Sequence, residues 1–190
     1  MSVALRPERE DDLPAIRALL LAAFPTPAEA DLVEALRAEE AHVPEACLVA
    51  ERDGEVVGMA FTSVATLEEP ETSLGFGFGT GISPSAPALV LAPMAVLPAL
   101  QNEGIGGALV RELLRRAPAA APQFPFVSVL GHAEYYPRFG FEPARPLGIR
   151  PPFDVPDEAW MAFRLPAWPR PEEPQPTGVL RYADAFADLT

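Results

Sequence analysis

The chain has 190 residues, 49% of them hydrophobic, and a formal charge of −13 from 27 acidic and 14 basic side chains. Every basic residue is arginine, and a sequence without lysine excludes a Walker-type phosphate loop, a Schiff-base enzyme and a kinase-type strand lysine. The acidic balance argues against a nucleic-acid partner and suits a positively charged substrate such as an amine.

The length suits one domain large enough to bury a core. The lone cysteine, Cys47, rules out an internal disulfide and fits a reducing compartment. The first residues carry no apolar signal core, and proline, glycine or charge interrupts each apolar run before membrane-spanning length. A cytoplasmic protein with no membrane partner is expected.

Residues 3–6 read as a strand that leads into a helix over 11–24, with Asp11, Asp12 and Pro14 in its first turn. Ile16, Leu19, Leu20 and Phe24 form its apolar face. Thr26-Pro27-Ala28-Glu29 has the form of a capping box with proline at the first helical position, and starts a second helix with Leu32, Val33 and Leu36 inward. Residues 47–51 and 55–63 read as antiparallel strands around Asp53-Gly54, a two-residue hairpin turn. His42 is assigned no role, and Cys47 is expected to be a buried, inert thiol.

Residues 67–88 read as a long loop containing Gly75, Gly77, Gly79 and Gly81. No helical pattern follows these glycines, so no helix N-terminus is aimed at an anion there. A substrate-side loop and a plain connector both remain open. Residues 89–96 are nearly all apolar, as in a central strand buried on both faces, and Pro93 within them requires a bulge or bend.

That strand passes through Gln101, Asn102 and Glu103 into a helix over 106–116, with Ile105, Leu109 and Leu113 inward and Arg111, Glu112 and Arg115 outward. Gly104, Gly106 and Gly107 clear side chains from the turn, where main-chain amides and the helix dipole favour an anion such as a pyrophosphate. A Rossmann fingerprint starting at Gly104 would need glycine at 109, which is Leu109.

Further strands are expected at 126–130, 141–144 and 159–165, with one or two helical turns over 133–139 closed by Gly140. Residues 166–176 form a proline-rich, acidic linker that delivers 178–182 as an edge strand or an arm on the sheet. The expected organisation is one domain over 1–165, with 166–190 a linker and terminal strand packed on it.

Gln101-Asn102-Glu103-Gly104-Ile105-Gly106 resembles the Gln/Arg-x-x-Gly-x-Gly/Ala loop of the GNAT superfamily of acyl-CoA-dependent N-acetyltransferases. Tyr135-Tyr136-Pro137-Arg138-Phe139-Gly140-Phe141 resembles its fourth helix and the strand that follows. The opening around residues 6–16 and the stretch 155–161 are similar to predicted bacterial members, so the likeness spans nearly the whole chain.

The resemblance implies an α+β fold: a mixed, mostly antiparallel central sheet flanked by helices, with the parallel strands at 89–96 and 126–130 splayed to admit acetyl-CoA. It implies acetyl transfer to an amine acceptor, small molecule or peptide, in a ternary complex without a metal. Met94, Ala95 and Val96 would hold the pantetheine arm through their backbone, with Ala95 and Val96 supplying the oxyanion donor. Gln101, Asn102, Glu103, Gly104, Ile105, Gly106 and Gly107 would wrap the pyrophosphate, with the Glu103 side chain turned to solvent.

Tyr136 matches the tyrosine that protonates the leaving thiolate, a role suited to a phenol whose pKa lies near that of a thiol. Tyr135 is expected to be structural. His132 and Glu134 are the two candidate bases, and Arg138 fits either a CoA phosphate or a surface ion pair. A homodimer and a non-catalytic acyl-CoA sensor of the same fold both stay open.

Overall fold

A computed structural model describes residues 3–68 and 85–189. The glycines at 75, 77, 79 and 81 lie outside the described residues. In chain order the elements are β1 (Ala4–Pro7), α1 (Leu13–Ala23), α2 (Ala28–Ala38), β2 (Leu48–Arg52), β3 (Glu55–Glu68) and β4 (Ala86–Val96). They are followed by α3 (Ile105–Ala120), β5 (Phe126–Leu130), β6 (Glu142–Pro143), β7 (Ile149–Arg150), β8 (Trp160–Arg164) and β9 (Gly178–Tyr182).

The strands join in one mixed sheet of order β1-β2-β3-β4-β5-β8-β6, with β9 on the free part of β3 and β7 beside β9. Pairing is antiparallel except for β4 with β5 and β7 with β9. The β2–β3 hairpin turns as its sequence requires: Asp53 and Gly54 both take positive φ, 53° and 84°, as a type I′ turn needs.

Several boundaries differ from expectation. β3 runs five residues beyond 63 because β9 pairs with Ala65–Glu68, and β4 begins at Ala86. The expected helix over 11–24 opens with a 3-10 turn at Glu10–Asp12 before α1. The capping box does not form. Pro27, not Thr26, is the N-cap of α2, and no side chain caps it, which moves Glu29 from the third helical position to the second. The turns over 133–139 shrink to a 3-10 turn, Tyr136–Phe139, closed by Gly140 at φ 94°. β7 has no counterpart in the sequence pattern.

Alternation along β2 sorts its side chains to the two faces. Leu48 and Ala50 join Ile105, Leu109, Leu113 and Ala117 of α3 in one core, while Cys47 and Val49 join Ile16, Leu20, Val33 and Leu36 of α1 and α2 in another. Helices therefore cover both faces. Gly58 on β3 seats α3, since a Cβ there would meet Ala95 O, Ile105 Cγ2 and Leu109 Cδ1, each at 3.2 Å. A third core, around Trp160, Phe126 and Leu180, fills the region beside β7 and β9, and the indole Nε1 of Trp160 donates to Ile149 O at 3.0 Å.

Candidate functional site

β4 and β5 pair only at Leu89 with Val127 and Val90 with Ser128, where Ser128 Oγ also donates to Leu89 O at 3.2 Å. Beyond that point β4 continues to Val96 and β5 to Leu130 with no ladder between them. Pro93 helps open the gap. On β4, Ala92 and Pro93 oppose Phe61 alone on β3, a bulge that bends the strand where a proline could not join a ladder. The gap is a cleft of about 860 Å³, lined by residues from both faces of the sheet.

The cleft wall offers backbone. Leu97 N–H donates to Val57 O at 2.9 Å, and Ala95 stands opposite Met59 in the same ladder. Alternate residues of an antiparallel strand turn their amides to the same neighbour, so Ala95 turns toward β3 while Met94 and Val96 face the open edge. The side chain of Gln101 ties the turn back to this edge, with Nε2 donating to Val96 O at 3.2 Å.

Asn102 and Gly104 take the left-handed φ values of 65° and 84° that swing the chain from β4 into α3. The first-turn amides of α3, at Ile105, Gly106 and Gly107, have no acceptor within the helix. At 106 a Cβ would lie 2.8 Å from Tyr135 Oη, so a side chain there would displace that hydroxyl, and at 107 glycine leaves room for the Phe139 ring. Glu103 turns away from the cleft and pairs with Arg52 at 2.6 Å, which takes its carboxylate away from the first-turn amides of α3.

Tyr135 and Tyr136 stand edge to face, with Phe139 against the former and Phe141 against the latter. Tyr136 is buried but lines the cleft, and burial, with a smaller push from Tyr135, drives its phenol up to about 12. Tyr135, expected to be structural, also lines the cleft. Burial raises its pKa as well, with Arg138 and Arg111 acting in the other direction.

His132 is exposed and lines the cleft, whereas Glu134 is exposed and outside its lining. Arg138 lies over the Tyr135 ring at 4.8 Å and donates to Glu134 O. Arg111, expected to face outward, lies over the Phe139 ring at 5.2 Å and reaches the cleft. Among the described residues neither arginine pairs with a carboxylate. Ala23, Phe24 and Glu29 complete the wall on the α1/α2 side, a role not expected from the residue pattern.

The acetyltransferase (GNAT) family matches residues 13–141. The uncharacterized N-acetyltransferase YjhQ of Escherichia coli strain K12 is 35% identical over 182 residues, covering 90% of this chain and 93% of its own. The CoA complex of the GNAT-family N-acetyltransferase YhbS from Escherichia coli superposes with a TM-score of 0.80 at 27% identity, covering 97% of this chain and 92% of its own. A GNAT-family acetyltransferase from Brucella melitensis in complex with acetyl-CoA gives 0.68 at 30% identity, over 97% and 98%. With its splayed strands, glycine turn and tyrosine-bearing cleft, the chain belongs to the GNAT family of acetyltransferases.

Proposed function

We propose that the protein transfers the acetyl group of acetyl-CoA directly to an amine in a ternary complex. The observation that carries this is the meeting, in one cleft, of an unpaired β4 edge, the free amides of α3 and the buried phenol of Tyr136. The glycines at 104, 106 and 107 and the unpaired Arg111 and Arg138 suit a diphosphate. The open edge at Met94 and Val96 suits an amide-bearing arm lying as an extra strand. YhbS and the Brucella protein were solved with CoA and acetyl-CoA, which supports the same ligand here.

Acetyl-CoA supplies the activated acetyl group. The amine nitrogen forms a bond to the acetyl carbon as the carbon–sulfur bond breaks, the amine gives up a proton, and the thiolate takes one from Tyr136. The Val96 N–H, turned to the open edge, donates to the developing oxyanion. Burial keeps Tyr136 protonated and able to donate, but at about 12 its pKa lies above that of a thiol and not near it, which makes it a weaker acid than the sequence alone implied. His132, in the cleft lining, is better placed than Glu134 to accept the amine proton through water.

The test is acetyl-CoA-dependent CoA release with a panel of primary amines. Wild type turns over, and Tyr136→Phe loses roughly 10²–10⁴-fold in kcat while keeping acetyl-CoA affinity. Acetyl-CoA binding without turnover of any amine would mark an acyl-CoA sensor instead.

A further inference from the structure

The two ends of the cleft differ in chemistry. Gln101, Asn102, Arg111 and Arg138 stand with the glycine turn, where the diphosphate would lie. The opposite end closes where β4 and β5 come together at Val90 and Ser128. There the wall is Leu91, Ala92 and Pro93 on β4, with Leu130 and Gly131 at the end of β5. The end of α1 adds Ala23 and Phe24. None of these residues carries a polar side chain.

Among the described residues three large apolar side chains are exposed, Leu21, Leu130 and Phe153. Of these only Leu130, at 46%, lines the cleft. Val127 and Val129 turn into the α3 core, so Leu130 turns to the opposite face with Phe126, where Ala92 also packs. An apolar wall left open inside a cleft that is polar at its other end suits an apolar occupant. An acetyl group is too short to cover it. The oxyanion donor proposed at Val96 lies four residues from Ala92, about 13 Å at the usual strand rise.

We infer that the protein accepts acyl groups longer than acetyl, from butyryl to hexanoyl, with the chain laid past Pro93 onto Ala92 and Leu130. This rests on the transfer chemistry proposed above and specifies its donor. The pantetheine arm reaches the thioester from the α3 end, so the acyl chain continues toward the closed end. The bond changes are those of acetyl transfer: nitrogen bonds to the acyl carbon, the carbon–sulfur bond breaks, and the thiolate takes the Tyr136 proton. Each methylene taken out of water on this wall adds affinity.

Acetyl-, butyryl- and hexanoyl-CoA are compared on wild type and Leu130→Asn, by calorimetric binding without an acceptor and by CoA release with the primary-amine panel. Wild type is expected to bind hexanoyl-CoA roughly tenfold tighter than acetyl-CoA, with butyryl-CoA between and kcat/KM in the same order. Leu130→Asn is expected to bring hexanoyl-CoA to within about twofold of acetyl-CoA, with thermal melts reporting its folding. Binding without an amine separates the acyl chain from the acceptor as the group that covers Leu130. Equal wild-type affinities for the three donors overturn the inference and, where acetyl turnover is seen, leave the transfer chemistry standing. A hexanoyl preference that persists in Leu130→Asn overturns the placement of the chain. Binding of all three donors without turnover of any amine overturns the transfer chemistry, and with it the longer acyl groups as substrates.

Discussion

The ring of Tyr136 occupies the space that a side chain on Gly131 would take: a Cβ at 131 would fall 2.2 Å from Cε2 and 2.8 Å from Cδ2 of the phenol. Gly131 follows β5 directly and is fixed by its own N–H, which donates to Ala159 O at 3.0 Å. The phenol is thus placed by a missing side chain on one side and by Tyr135 and Phe141 on the others. Gly131→Ala is expected to push the ring out, to cost about 1–3 kcal/mol of stability by overpacking, and to cut kcat as Tyr136→Phe does. Thermal melts and steady-state rates check this. Full activity in Gly131→Ala would mean the ring position is unimportant.

Gly106 makes a separate demand at the other end of the cleft. A methyl there meets the Tyr135 hydroxyl at 2.8 Å and crowds the amide surface of α3. Gly106→Ala is expected to weaken acetyl-CoA binding by roughly tenfold, about 1.4 kcal/mol, with little change in kcat at saturating acetyl-CoA. Calorimetry against steady-state kinetics separates the two effects.

Burial sets the sign of the pH dependence. With its pKa pushed up to about 12, the Tyr136 phenol stays protonated through neutral and mildly alkaline pH. The ratio of wild-type to Tyr136→Phe kcat is therefore expected to stay flat up to about pH 10, and a ratio falling with a midpoint near the ordinary phenol value, about 10, would contradict it.

Stability at low pH depends on a different cluster. Arg6 bridges Asp12 at 2.6 Å and Glu51 at 2.7 Å, and Asp12 also accepts the Arg9 N–H at 2.7 Å. The Arg6 hydrogen bond, working against burial, holds the Asp12 carboxyl below its ordinary 3.8. A depressed folded-state pKa stabilises above the unfolded value, and that stability is lost as pH falls through the folded one. Asp12→Asn is expected to cost about 1–3 kcal/mol at pH 7, with the deficit against wild type shrinking below pH 4 in denaturant titrations.

The parts of the site legible in the sequence are the local ones. The glycine turn, the Asp53-Gly54 hairpin and the bulge at Pro93 are dictated by single residues whose backbone needs allow few alternatives. Glu29 and Arg111 were not legible, for two reasons. Glu29 shares a helical face with Leu32, Val33 and Leu36, and the expected capping box assigned its side chain to the helix N-terminus instead of the cleft wall. Arg111 lies on the outward face of α3 by periodicity, yet the Phe139 ring draws its guanidinium over the cleft. The extension of β3 depends on β9, whose partners lie more than a hundred residues away in sequence, and no local pattern carries that pairing.

The most direct test follows the acetyl group itself. The protein is incubated with acetyl-CoA labelled in the acetyl carbonyl and with hexylamine, and the products are separated by mass spectrometry. The structure predicts label in the N-acetylated amine, dependent on the protein and lost in Tyr136→Phe at matched time. Label recovered only as free acetate, or retained in acetyl-CoA, would contradict acetyl transfer to an amine in this cleft.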